Sequence, residues 1–232
     1  MSQTNQGQTL LFIRTTVLGA ILLGIVASLT GASAGQKDNG GLKTAVVNPR
    51  KLVSEYKFAV AAREKLANME QDAKNRLEVY GGYQYLDSSE QDTLVTLVQK
   101  ERSPNPASAL SKSETEQLVA LREKYKRVAA LYSTLSSKSN ADTTPADAKE
   151  FDDLNKRRTA TQIRGKSLND SVTETLQKEQ EKANVKIDSD IKEVLNKYCK
   201  DKGFTLVFSN EVVFYAENDI SDEVLKKLNA GN

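Results

Sequence analysis

A chain of 232 residues with 33 lysines and arginines against 31 aspartates and glutamates, formal charge +2, has no dense basic field with which to hold nucleic acid. It has no histidine and one cysteine, so neither an imidazole-based catalytic pair nor a zinc cage can be assembled from it, and no cofactor motif is present. Charged residues reach 28% and aromatic residues only 6%, with no tryptophan, which disfavours a large globular core and favours solvated helices.

Residues 1–34 read as an export signal. Arg14 follows a polar start, Val17 to Leu29 is uncharged and apolar, and Ala32-Ser33-Ala34 supplies the small residues that precede cleavage between Ala34 and Gly35. The apolar stretch is shorter than the about 20 residues a membrane span needs. Extending it back through Leu10 to Ile13 places Arg14 inside it, and the alternative to cleavage is an inner-membrane anchor facing the periplasm.

In the mature chain, residues 35–56 supply a strand, centred on Thr44-Ala45-Val46-Val47, and a short helix. A helical segment then runs over 57–201. Phe58, Ala62, Leu66, Met69, Ala73, Leu77 and Tyr80 recur at intervals of four, four and three, an eleven-residue repeat whose apolar seam runs nearly straight. Residues 81–110 form an excursion, opened by Gly81-Gly82-Tyr83, holding a short helix near 89–102 and closed by Ser103-Pro104-Asn105-Pro106. Leu118, Leu121, Tyr125, Val128, Tyr132 and Leu135 keep a heptad spacing, and polar turn residues place a tip near 139–146. The return helix carries Val172, Leu176, Gln180, Ala183, Ile187, Ile191, Val194 and Tyr198 on the same eleven-residue pattern. Two matching seams predict an antiparallel pair with Phe58 near Tyr198; two unrelated amphipathic helices are the alternative. At about 1.5 Å per residue, helix 147–200 spans roughly 80 Å, about as much as helices 57–80 and 111–138 end to end.

Residues 202–232 predict a β-hairpin and a helix. Lys202 to Phe208 and Val212 to Tyr215 are β-type runs around the turn Ser209-Asn210-Glu211. Ser221 reads as the N-cap of the closing helix, with Asp222 and Glu223 in its first turn and a staple between Ile220 and Leu225. The predicted fold is α+β, mostly α: long antiparallel coiled-coil arms on a small β body made by the two chain ends. Three short strands leave open edges that another subunit can cover, so the sheet of Val46, Val47, Phe204, Leu206, Phe208, Val213 and Tyr215 is expected to be shared between subunits.

The terminal segments carry a resemblance. Lys202-Gly203-Phe204-Thr205-Leu206-Val207-Phe208, Val212-Val213-Phe214-Tyr215 and the run from Asn218 to Asn229 resemble the C-terminal signature of the Skp/OmpH family of periplasmic chaperones. Ala45-Val46-Val47-Asn48, Leu52-Val53 and Ala61-Ala62-Arg63-Glu64-Lys65-Leu66 are similar to that family's opening strand and first helices, so the likeness covers both ends and not the middle. The resemblance implies a homotrimer with a shared β body, whose arms enclose unfolded outer-membrane proteins after export. It implies an ATP-independent holdase and no enzyme. The near-neutral charge departs from the family, whose members are typically more basic. A membrane-anchored coiled-coil adaptor or a structural protein of the cell envelope is the rival reading.

Several side chains are singled out within this frame. Tyr132, Leu135, Arg157 and Arg158 are candidate client-contact positions on the distal arm. Two basic clusters, Arg122 to Arg127 and Lys156 to Lys166, could meet acidic client segments or anionic lipid, or form a solvated face diluted by neighbouring carboxylates. Gly81, Gly82 and Gly165 fall near one level of the arm, where they make a hinge or, for the first two, merely end a helix. Cys199 is either a small buried residue or an intermolecular disulfide partner.

Overall fold

The structure, a computed structural model, describes residues 42–103, 105–213 and 216–231. The proposed cleavage site at Ala34 and Gly35 lies outside them, as does Tyr215. Among the described residues the fold is α+β and mostly helical. Its elements are β1 (Thr44–Val47), α1 (Pro49–Glu55), α2 (Lys57–Gly82), α3 (Ser88–Arg102), α4 (Lys112–Ser137), α5 (Pro145–Lys202), β2 (Leu206–Ser209) and α6 (Ser221–Ala230).

Local chemistry sets these boundaries. Asn48 accepts from the Lys51 N–H at the start of α1, with Pro49 at its first position. Reciprocal capping boxes start α3, between Asp87 and Glu90, and α4, between Ser111 and Glu114. Thr144 and Asp147 make the equivalent pair at α5, through Asp147 N–H to Thr144 Oγ1 at 3.2 Å and Thr144 N–H to Asp147 Oδ2 at 3.0 Å. At its far end Gly203 adopts φ 73°, and the Phe204 N–H closes on the Cys199 carbonyl at 2.9 Å, a Schellman stop that needs a residue without a Cβ.

The described residues divide into two compact units, those of 42–67 with those from 176 onward, and those of 68–175. The first joins the two chain ends. β1 pairs in parallel with β2, Thr44 beside Leu206 and Val47 beside Ser209, as strands joined by a long helical connection can. On its other edge Val46 donates to the Asn218 carbonyl at 2.8 Å and accepts from the Ile220 N–H at 3.0 Å. The predicted hairpin is corrected here: Val212 lies in a turn and Val213 outside any strand, because residues 218–220 hold the second edge of β1. Beneath the sheet, Leu52, Tyr56, Ile187, Ile191, Val224 and Leu228 form the core. Ser221 is corrected as well. It is the first residue of α6, not its cap, and its hydroxyl accepts from the Asn48 N–H at 2.8 Å, tying β1's end to α6.

In this unit α2 and α5 run antiparallel in a register that differs from the one predicted. Phe58 lies under the Lys186 ammonium at 5.1 Å, Lys65 pairs with Glu179, and the Tyr56 hydroxyl donates to Asp190 at 2.6 Å. Tyr198 instead stacks on Phe204 and lies beneath Lys227. The offset of twelve positions (186 against 198) is close to one eleven-residue repeat, so both registers keep the apolar seam inward.

The second unit is a helical bundle. Leu94, Val95, Leu97 and Val98 of α3 pack against Val79 and Tyr80 of α2 and Leu118 of α4, with Leu168 of α5 beside them. The helix of the 81–110 segment packs back on the helices it leaves and rejoins, and supplies a large part of the unit's core. A second cluster joins Tyr85, Leu135 and Leu154.

Candidate functional site

The client-contact positions drawn from the sequence converge in the second unit. α4 and α5 face each other across the 138–144 turn, which brings Tyr132 and Arg158 together: Arg158 Nη1 donates to the Tyr132 hydroxyl at 2.8 Å. Tyr132 stacks between Tyr85 at 4.6 Å and Phe151 at 5.2 Å, and the row continues through Tyr125 to Tyr83. Arg157 reaches the Tyr85 carbonyl at 3.4 Å. Leu135 is buried beneath the row. Burial pushes the Tyr85 and Tyr125 phenols above their ordinary range. Tyr85 is buried and the other four rings are partly exposed, so the row is packing first, and what it leaves for weak contacts is the exposed part of those rings beside the guanidinium groups held at Tyr85 and Tyr132.

The two basic clusters are largely spent on intramolecular pairs. Arg122 makes a bidentate contact with Glu101, Lys124 meets Glu90, Lys126 meets Glu123, Lys156 meets Asp152 and Arg164 meets Asp92. This arrangement matches the diluted, solvated face more than an open cationic patch.

In the first unit the sheet residues divide by face. Val46 and Val47 are buried in β1, while Leu206 and Phe208 of β2 point outward, 40% and 42% exposed. Phe204 precedes β2, with the Lys43 ammonium 4.5 Å above its ring. Val212, also in this unit, is 72% exposed. Among the described residues β2 pairs only on the β1 side, so its outer edge and its apolar face are open. Cys199 is partly covered by the core of this unit, and burial raises its thiol pKa, an environment that suppresses the reactive thiolate.

Gly81 and Gly82 are the last residues of α2, and a Cβ at either would meet nothing within 4 Å. Gly165 lies inside α5, where a Cβ would stand 3.9 Å from Leu77 Cδ2. Among the described residues no group of acidic, cysteine or histidine side chains could hold a metal ion, and no helix is long and apolar enough to cross a membrane.

Sequence reasoning missed one feature of the second unit. Gln91 is 1% exposed and donates to Thr161 Oγ1 at 2.7 Å and to the Tyr83 carbonyl at 3.1 Å, while Arg164 donates to its Oε1 at 3.1 Å. Its signal was a polar residue three positions before Leu94 on a helix whose other inward positions are all apolar.

No curated protein and no solved structure matches the chain. A family model described as outer membrane protein (OmpH-like) matches residues 87–228, which takes in α3, α4, α5 and the C-terminal segment, and so reaches across the middle that the terminal motifs left uncovered. A match over more than half of the 232 residues, ending on the segment whose motifs carried the resemblance, makes this chain a member of the OmpH-like family, which is associated with periplasmic chaperones of outer-membrane proteins.

Proposed function

We propose that this chain is an ATP-independent holdase that is exported to the periplasm, cleaved after Ala34, and binds unfolded outer-membrane proteins to prevent their aggregation. The observation that carries this reading is the family match over 87–228. Two features support it. The partly exposed rings of Tyr83, Tyr125, Tyr132 and Phe151, with the Arg157 and Arg158 guanidinium groups beside them, are groups able to hold varied side chains weakly without selecting one sequence. The internal pairing of most other cations favours client segments over anionic lipid as the partner of this surface.

The assembly is proposed as a homotrimer through the open edge of β2. Leu206 and Phe208 would pair with the sheet of a neighbouring subunit, which removes both an exposed edge and an exposed apolar face. The helices of 57–201 would then stand as arms around a client, softened at Gly81, Gly82 and Gly165.

The test is dilution of a urea-denatured outer-membrane β-barrel protein into buffer with and without residues 35–232, followed by light scattering in the absence of nucleotide. Suppression at a small molar excess is expected. Undiminished scattering at large excess overturns the reading. Mass measurement of the mature N-terminus checks the cleavage, and light scattering of the free chain checks the three subunits.

A further inference from the structure

A single residue separates α1 from α2. Tyr56 has an extended backbone, φ −68° and ψ 118°, while helical bonding continues on either side of it. Its N–H reaches the Leu52 carbonyl at 3.0 Å, and its carbonyl accepts from the Val60 N–H at 3.0 Å. Nothing in the local sequence asks for this break. No glycine or proline occurs from Arg50 to Tyr80, neither Tyr56 nor Lys57 is a capping residue, and Ala59-Val60-Ala61-Ala62-Arg63 beyond the bend suits a helix. A sharp bend without glycine or proline calls for side chains set into the hydrogen-bond ladder.

Two side chains fill that place. In an unbroken helix the Lys57, Phe58 and Ala59 N–H groups would bond the Val53, Ser54 and Glu55 carbonyls. Arg63 Nη2 instead donates to the Val53 and Ser54 carbonyls at 3.1 and 2.9 Å, steadied by its Nε donating to the Ala59 carbonyl at 3.3 Å. Asn229 of α6 takes the third position: its Nδ2 donates to the Glu55 carbonyl at 3.3 Å, and its Oδ1 accepts from the Lys57 N–H at 2.8 Å. All three carbonyls that the bend frees are thereby satisfied. At the other end of α1, α6 accepts from the Asn48 N–H through Ser221 and pairs Asp222 with Lys51.

We propose that the bend at Tyr56 is an elbow imposed by Arg63 and Asn229, and that without them residues 49–82 form one continuous helix that cannot hold β1 beside β2. The change needs rotation about one bond, Tyr56 ψ going from 118° to the helical value of about −42°. It restores three backbone bonds and swings α1, with β1 at its far end, off the core. Because Asn229 belongs to α6, β1 takes its place in the sheet only once α6 has docked. Burial of Leu52 and Val53 also favours the bent form, and the variants below separate the two causes.

The test uses the mature chain, residues 35–232, with 13C-labelled tyrosine, the Tyr56 signal being assigned among the eight tyrosines with Tyr56→Phe. Arg63→Ala combined with Asn229→Ala is expected to move the Tyr56 Cα signal from the extended to the helical range. The Val46 amide should lose exchange protection at least about tenfold against the central amides of α4, which lie in the other unit. Lys57→Pro is then added to the pair. Proline at the first position of α2 fits the bend, keeps the residue before it extended and has no N–H to give Val53. It should return the Tyr56 signal to the extended range and bring Val46 protection back to within about threefold of the parent. Where the double variant fails to fold, the triple variant is expected to fold. An extended Tyr56 in a folded double variant overturns the proposal, because core packing alone would then make the bend. A triple variant whose Val46 stays unprotected, or whose first unit stays unfolded, overturns it as well, since the loss would lie in the missing contacts of α6 and not in the elbow.

Discussion

Replacing Tyr56 by Phe tests the register on which the first unit rests. Tyr56 is completely buried, and its hydroxyl donates to Asp190 across 134 residues of sequence at 2.6 Å. A hydrogen bond to a charged acceptor contributes about 1.5–3 kcal/mol. Asp190 also holds Lys186 at 2.9 Å, so the carboxylate is not stranded when the hydroxyl goes, and a cost of about 1–2 kcal/mol is the better expectation. The ring itself stays, with its neighbour Phe58 at 6.0 Å. A cycle of Tyr56→Phe, Asp190→Asn and the double variant, unfolded in urea and read by amide exchange in α1 and α6, should return a coupling near 1 kcal/mol. The coupling also carries a pH signature. Burial pushes the Asp190 carboxyl upward, but the Tyr56 hydroxyl and the Lys186 ammonium together hold it below its ordinary value. Stability linked to a depressed carboxylate is complete above its unfolded pKa and fades as pH falls through the folded one, so the Tyr56→Phe penalty should shrink below about pH 4. A coupling below about 0.3 kcal/mol would refute the reasoning, because a register that sets Phe58 beside Tyr198 leaves Tyr56 with no partner at position 190.

Three further outcomes are expected. Glu114 beside Lys100 and the Ser111 cap, Asp147 beside Lys138 and the Thr144 cap, and Glu179 beside Lys65 and Lys182 are each held down at about 2. Their contribution is present above the ordinary carboxylate range and lost as pH falls towards 2, so Tm should be flat from about pH 7 to 5 and drop between about 4 and 2. A Glu179→Gln variant should show a shallower drop, and a Tm independent of pH down to 2 would contradict the assignment. Gly165→Ala should raise stability by about 0.5–1 kcal/mol by calorimetry, since the added Cβ makes ordinary contact with Leu77 and removes backbone freedom from the unfolded chain; a loss would mean that α5 must bend there. Cys199, with a thiol raised by burial, should react with a thiol reagent at least roughly tenfold more slowly in the native protein than in urea. A disulfide-linked dimer on a non-reducing gel would argue the opposite.

Punctuation made the helices legible. Asp87, Ser111 and Thr144 each stand three residues before an acidic partner, Pro145 opens α5, and Gly203 closes it, so the helix ends can be read from residue chemistry. Pairing was harder to read. An eleven-residue seam matches itself after a slip of one repeat, and only specific contacts such as Tyr56 with Asp190 and Lys65 with Glu179 distinguish the two registers. The predicted hairpin followed β propensity in Val212 to Tyr215, whereas the edge of β1 went to Asn218-Asp219-Ile220, whose polar residues carry little such propensity. In the second unit, the apolar residues of α3 could be seen, but not the surface they would cover. Basic clusters looked alike in sequence whether open or paired, because the pairing carboxylates Glu90, Asp92 and Glu101 sit on a helix distant in the chain.

The chain contains no tryptophan, so selective tryptophan excitation in a mixture reports on the client alone. Denatured outer-membrane β-barrel protein diluted into increasing amounts of the mature chain should show tryptophan anisotropy that rises and saturates at a fixed stoichiometry, with no scattering and no nucleotide. Anisotropy that stays at the value of the free client, or scattering that grows as it does without the chain, would contradict a chaperone function for this protein.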